Sequence, residues 1–303
     1  MAVDRPSFMD SLCAHPRRVS LAAFTCLALL LSAAPLRVEA RLATIADCPP
    51  GEPCRTPAMP GDPSTKVLGD STQGRPIPAY RFGSGASTRA ILAGIHGGYE
   101  WNTVGLAEAL VAHFWEHPEE IPSDVTLWIV PVVNPDGYAR GRGSAGRANA
   151  NGVDVNRNFP ALWLADWPRA GCWDLRPISA GEAPASEPET LAVMSFLLSE
   201  HVEAVVSYHS AALGIFAGGQ PTDPRSGQLA QALSAASGYA YPPLDAGCAY
   251  TGQLIDWAAA NGIAAVDVEL TTHYRLDLEQ NLALLEAFLK WSPSESGSVS
   301  SAP

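Results

Sequence analysis

The chain reads as a single α/β domain in which a mixed, largely parallel sheet carries helices on both faces. Three observations predict this. Short uncharged apolar runs of strand length alternate with longer segments of helical periodicity between residues 66 and 291. No internal repeat and no second linker divides that stretch. Apolar residues make up 47% of the 303 positions, enough for one sizeable core and incompatible with global disorder. Strands that alternate with helices build a mostly parallel sheet, and sites in such sheets lie just past the carboxyl ends of the strands.

Taken in order, Ala90–Ile95 is an apolar run of strand length. Thr103–His117 then places Val104, Ala107, Val111 and Phe114 on one helical face. Leu127–Val133 is the second buried strand, and Glu187–Glu200 the next helix. Ala204–Tyr208 is a strand, followed by helices over Ser226–Ser237 and Gly252–Ala260. Ala264–Glu269 is the last strand, and Asp277–Lys290 the closing helix. Residues 41–65 form a lead-in rich in Cys, Pro and Gly, and 292–303 a Ser/Pro/Gly-rich tail expected to be disordered.

The first forty residues read as an export signal. Arg17 and Arg18 precede an uncharged stretch, Val19–Leu31, that is too short to span a bilayer, which needs ~20 residues. Val38-Glu39-Ala40 offers small residues at the −3 and −1 positions, so cleavage is expected near Ala40, giving a periplasmic or secreted protein with no stable membrane anchor. Acids outnumber bases 31 to 19, and only Lys66 and Lys290 are lysines, which excludes nucleic acid as a partner. Cys48, Cys54, Cys172 and Cys248 remain after cleavage, an even count that suggests two disulfides with three connectivities open. A local Cys48–Cys54 bridge would leave Cys172 to pair with Cys248.

The predicted strand ends carry the chemistry. His96 closes the first strand, with Glu100 four residues on; His209 follows Tyr208, and Glu269 ends the last strand. Each alone is ordinary for a sheet rim. Together, two histidines and a carboxylate with an open fourth position make a catalytic zinc set, and a further free Glu is what activation of a water needs. Gly97-Gly98 suggests a close backbone approach. After the second strand, Arg140, Arg142, Arg147 and Arg157 crowd one loop of an acidic chain, which suits a pocket for an anionic group.

Several pieces in one order resemble the zinc carboxypeptidase family, which includes pancreatic carboxypeptidases and bacterial murein peptide amidases. They are Gly69-Asp70-Ser71 with Gly74-Arg75-Pro76-Ile77, Ile95-His96-Gly97 with Glu100, Asn134-Pro135-Asp136-Gly137, and Asn151 through Pro160. Ser186-Glu187-Pro188-Glu189-Thr190, Tyr208-His209-Ser210, Ile255-Asp256-Trp257 and Val268-Glu269-Leu270 complete the series. The resemblance implies one zinc per chain, held by His96, Glu100 and His209, with Glu269 as general base and acid toward the zinc-bound water. It implies that Arg147 polarises the scissile carbonyl, that Asn156 and Arg157 hold the substrate's terminal carboxylate, that Tyr250 caps the site, and that Asp154 orients His96.

One departure stands out: the usual His-x-x-Glu is here His96-x-x-x-Glu100, one residue longer, with Gly97-Gly98 available to absorb the insertion. His273 sits four past Glu269 and reads as a cap or surface residue. The expected activity is hydrolysis of a peptide bond next to a free carboxylate, without removal of a long pro-domain. The alternatives are a murein peptide amidase cutting the γ-D-glutamyl-diaminopimelate bond and, more remotely, an N-acyl amino acid deacylase resembling aspartoacylases. An apolar Ile255 on the segment that lines the family's side-chain pocket favours a hydrophobic terminal residue, and no acidic residue is assigned to that pocket.

Overall fold

The computed structural model describes residues 65–167, 178–211 and 213–293. The export signal, Cys48, Cys54 and Cys172 lie outside the described residues, as does the tail beyond residue 293. Seven strands form one sheet in the order β1-β2-β4-β3-β5-β7-β6. They are β1 (Thr65–Asp70), β2 (Pro76–Gly83), β3 (Ser87–Leu92), β4 (Val125–Val130), β5 (Ala204–Ser210), β6 (Ile215–Ala217) and β7 (Ala264–Leu270). The helices are α1 (Trp101–Glu116), α2 (Pro135–Ala139), α3 (Pro188–Ser199), α4 (Pro224–Ser237), α5 (Leu254–Ala260) and α6 (Leu278–Lys290). No described helix is long and apolar enough to cross a membrane.

The middle of the sheet, β4-β3-β5-β7, is parallel, as the apolar runs predict. Both sides are antiparallel: β2 pairs with β1 and β4, and β6 pairs with β7. These outer strands escape sequence reading for physical reasons. β1 is largely exposed, β2 carries Pro76 and Pro78, and β6 is three residues long.

Alternation along the central strands sorts the core into two layers. Val125, Leu127 and Ile129 of β4, Ile91 of β3, Val206 and Tyr208 of β5, and Val266 and Val268 of β7 pack with α1, α4 and α6. Trp128 and Val130, Ala90 and Leu92, Val205 and Ala265 point the other way, against α3 and α5. Ser207 and His209 on β5, and Asp267 and Glu269 on β7, follow the parity of this second layer. The register pairs Ser207 with Asp267 and His209 with Glu269, so four polar residues line up across two adjacent strands. The hydrophobic layer ends there and a cavity begins.

Two strand boundaries differ from expectation. β3 stops at Leu92 rather than Ile95, because Gly94 takes φ +58°, a left-handed conformation that ends the strand. The chain stays tied to its neighbour all the same: Ala93 N–H donates to Val130 O at 2.9 Å and Asn134 N–H to Gly94 O at 2.9 Å. β5 runs on to Ser210, so His209 lies inside a strand and not past its end.

Candidate active site

The lengthened first motif closes on itself. From His96 the chain turns through Gly97 and Gly98 into a short 3₁₀ turn, Gly98–Glu100, which leads into α1. Both glycines are required. A Cβ on Gly97 would sit 2.5 Å from the backbone of Gly137 and Tyr138, and one on Gly98, at φ +64°, would meet Gly143 O at 2.3 Å. The turn brings Glu100 back over His96, with Oε1 2.9 Å from Nδ1. Tyr99, the inserted residue's side chain, points outward and is 51% exposed.

His209 arrives from β5, its Nδ1 3.1 Å from Glu100 Oε2. His96, Glu100 and His209 are buried, and one ligand atom from each lies within 4.8 Å of the others. Two imidazole nitrogens and a carboxylate oxygen converging at a cavity wall fit zinc with an open position. The outward nitrogen of His96 meets Asp154 Oδ1 at 2.8 Å, the carboxylate partner that fixes a ligand's tautomer and ring orientation. Burial would raise Asp154, but Arg147 and His96 hold it well below its ordinary range. Burial likewise opposes ionisation of Glu100, and His96 and His209 overcome it.

Arg147 is clamped. Its Nε donates to Asp154 Oδ2 at 2.8 Å and its Nη1 to Glu100 Oε1 at 3.0 Å. The loop that presents it is braced from α3: Asn149 Nδ2 donates to Glu187 Oε2 at 2.7 Å and to Glu189 Oε2 at 2.9 Å. Asp136 in turn accepts from Ser71 Oγ at 2.8 Å and the Gln73 N–H at 2.9 Å, tying the β1–β2 turn to α2. Several of the sequence motifs are therefore struts for the loop rather than reacting groups.

Asn156 Oδ1 accepts from the Leu254 N–H at 2.9 Å, and its Nδ2 lies 3.4 Å from His209 Nε2. Arg157 is buried; Nη1 donates to Asn156 O at 2.6 Å, while Nε has no hydrogen-bond partner among the described residues. Burial lowers its pKa, against the opposing charges of Asp154 and Asp267. The Tyr250 ring lies 5.6 Å from the Arg157 guanidinium, and burial raises its hydroxyl pKa. Glu269 stands beside His209, partly buried, with Oε2 unpartnered among the described residues. Burial, with Glu100 adding repulsion, pushes its carboxyl up to about 8 in the metal-free protein.

All the expected site residues except Asp154 line one cavity of about 260 Å³, and Asp154 sits directly behind His96 and Arg147. Three placements differ from the sequence reading. Ile255 is buried in the second core layer, not on the cavity wall; the segment's contribution to the wall is Gln253. His273 lines the cavity mouth, where its Nδ1 lies 3.0 Å from Ser210 Oγ. An acidic residue does enter the pocket: Asp267, whose position two residues before Glu269 on one strand was the overlooked signal.

The zinc carboxypeptidase family pattern matches residues 59–284. Murein peptide amidase A of Escherichia coli (strain K12) is 30% identical over 245 residues, 77% of this chain and 92% of that protein. Gamma-D-glutamyl-L-diamino acid endopeptidase 1 of Lysinibacillus sphaericus is 26% identical over 66% of this chain and 57% of that protein. Among solved structures, the murein-tripeptide amidase of Escherichia coli O157 superposes with TM-score 0.57 at 26% identity, covering 77% of this chain and 94% of that one. Bovine thrombin-activatable fibrinolysis inhibitor shares the fold, with TM-score 0.61 at 20% identity over 74% of this chain and 88% of that one. With a buried His-Glu-His cluster at the rim of a mixed sheet and a family match over most of its length, this chain belongs to the zinc carboxypeptidases, a family of zinc-dependent peptide hydrolases.

Proposed function

We propose that this chain is an exported zinc peptidase that hydrolyses the amide bond preceding a residue with a free carboxylate, and that it acts on murein peptides at the γ-D-glutamyl-diaminopimelate bond. The observation that carries the reaction class is Arg157, a buried guanidinium with an open N–H in the same cavity as Glu269 and the His-Glu-His cluster. A buried cation with an unused donor at a cavity wall suits a carboxylate ligand. Similarity to the two enzymes named for murein or γ-D-glutamyl-diamino acid bonds supports the substrate class, in place of the broader C-terminal specificity that the sequence favoured.

His96, Glu100 and His209 would hold zinc, which when bound would supply Lewis acidity and lower the cost of activating a water near neutral pH. Arg157, with Asn156, positions the terminal carboxylate, and Tyr250 closes over it. Arg147 presents its guanidinium to the scissile carbonyl and stabilises the charge that develops on its oxygen. Glu269 takes the attacking water's proton on a carboxylate oxygen and returns it to the leaving amine. Cleavage near Ala40 and bridges at Cys48–Cys54 and Cys172–Cys248 belong to the same reading, with a catalytic domain over 66–291. Cys248, a cavity-lining residue, is taken as one half of a disulfide.

The test is direct competition between an L-Ala-γ-D-Glu-diaminopimelate tripeptide and peptides ending in Phe or Leu. A kcat/KM ratio above ten for the murein peptide, more than ~1.4 kcal/mol of differential transition-state binding, is expected. The opposite ratio would remove murein as the substrate and leave the peptidase chemistry standing.

A further inference from the structure

We propose that His273 accepts a hydrogen bond from an amide N–H on the acyl side of the scissile bond, with the Tyr99 ring packed beside it, which makes the enzyme selective for substrates that carry a peptide linkage upstream of the bond it cuts. The orientation rests on the reading of Arg157 as the carboxylate anchor.

The two nitrogens of His209 give the cavity a direction. Nε2 faces Asn156 Nδ2 at 3.4 Å and Asp267 Oδ1 at 3.6 Å, the end that holds Arg157. Nδ1 faces Glu100 Oε2 at 3.1 Å, and that same oxygen accepts from the Ser210 N–H at 3.3 Å. His273 stands beyond Ser210, at the mouth of the cavity. A substrate anchored on Arg157 therefore leads away past the metal set, and its acyl side reaches His273.

Hydrogen bonding fixes which nitrogen of His273 is open. Asn102, fully buried in α1, donates from Nδ2 to Thr272 O at 2.7 Å and to Arg275 O at 2.8 Å. Its Oδ1 can only accept, so the Ser210 hydroxyl donates its one proton there, at 3.0 Å. Ser210 Oγ is left to accept from His273 Nδ1, also at 3.0 Å. The ring proton thus sits on Nδ1, and Nε2 of the neutral imidazole presents a lone pair. No hydrogen bond reaches that nitrogen among the described residues.

The acceptor is also held in place before a ligand arrives. Besides the two bonds from Asn102, Thr272 Oγ1 accepts from the N–H groups of Tyr274 at 3.2 Å and Arg275 at 3.0 Å. A preorganised acceptor loses little freedom on binding. Tyr99 lies beside it, with ring centroids 5.9 Å apart. Tyr99 is the residue that lengthens the turn from His96 to Glu100, so the insertion sets an aromatic face against His273 and shields a hydrogen bond there from water. In an α-linked peptide the matching donor is the N–H of the acyl residue. In a γ-D-glutamyl peptide it is the same N–H, two carbons further from the scissile carbonyl.

The experiment uses the zinc-loaded protein and a matched pair of substrates. One is L-Ala-γ-D-Glu-diaminopimelate; in the other an ester oxygen replaces the glutamyl N–H and the scissile amide is untouched. The wild type should favour the amide in kcat/KM by roughly three- to tenfold, the worth of one hydrogen bond. His273→Ala should lower the amide to the level of the ester and bring the ratio to near one, with zinc content still one per chain. His273→Gln, which keeps an acceptor on a side chain of similar reach, should restore part of the ratio. Equal use of amide and ester by the wild type overturns the proposal without reference to any variant. So does an equal fall for both substrates in His273→Ala, which would make the residue a brace for Ser210. Tyr99→Ala should reduce the ratio too, and an unchanged ratio overturns the part given to Tyr99. The same amide and ester pair is made with an α-linked peptide ending in Phe. Should only that pair be cleaved, with the ratio lost in His273→Ala, the murein reading fails and the role of His273 stands.

Discussion

At the residue scale, proton transfer and anchoring separate cleanly. Glu269→Gln should keep one zinc per chain and lose ~10²–10⁴ in kcat, the usual contribution of a positioned general base. Arg157→Ala should chiefly raise KM, because a carboxylate anchor serves ground and transition states alike. Near-normal turnover by the Glu269 variant would sink the mechanism. Glu269 also predicts a pH effect on the metal-free protein. Its carboxyl is held at about 8 against an ordinary 4.5, chiefly by burial. Between those values the native state keeps a proton that the unfolded chain has released, so this contribution to stability is complete below about 4.5 and lost as pH rises toward 8. In chelator, Glu269→Gln should therefore gain in Tm relative to wild type as melts move from pH 5 to pH 8. Parallel curves would mean that Glu269 is solvated in the folded protein.

At the element scale, the turn between β3 and α1 decides whether the metal set exists. Gly98→Ala would force a side chain into φ +64°, at about 1–2 kcal/mol, and against Gly143 O. The loop would have to shift, and Glu100 with it. The expected outcome is a large fall in zinc affinity by competitive chelation, with far-UV circular dichroism unchanged; full zinc retention would show that Glu100 does not depend on this turn. The alternation of β7 works in the same way on the opposite wall. Its period of two sets Asp267 and Glu269 toward the cavity and Val266 and Val268 into the core, so the strand that completes the core also supplies both acids.

At the scale of the whole molecule, the metal joins segments that are far apart in the chain: His96 and Glu100 after β3, and His209 in β5. Binding to the native state alone raises its stability, by about 2.7 kcal/mol at a hundredfold excess over Kd. Chelation should therefore lower Tm and zinc should restore it, and His96→Ala should abolish the difference. Asp154→Asn should weaken zinc ~10–100-fold by releasing the His96 ring, measured by competition with a chelator. An unchanged affinity would assign Asp154 to Arg147 alone. Mature protein recovered after export should show no free thiol when titrated denatured without reductant; thiols at Cys172 and Cys248 would remove that bridge.

Much of this architecture was legible in the sequence because it is written locally. Buried parallel strands need continuous apolar runs, amphipathic helices need their period, and the candidate ligands His96 and His209 stand at or beside the ends of such runs, with Glu100 four residues after His96. Local pattern could not supply the outer strands. β2 contains two prolines, β6 is too short to have a period, and only pairing with β4 or β7 makes them strands at all. Nor could it decide which way a side chain near the site faces. Ile255, expected on the pocket segment, packs in the core, and Asp267, to which the sequence assigned no role, lines the cavity. Whether a residue meets solvent, core or cavity depends on what packs opposite, and that is set by elements distant in the chain. The chain's own periodicities determined the sheet, the helices and the metal-binding residue types; the junction of β5, β7 and α5 decided which charges share the cavity, because only tertiary packing closes a pocket around them.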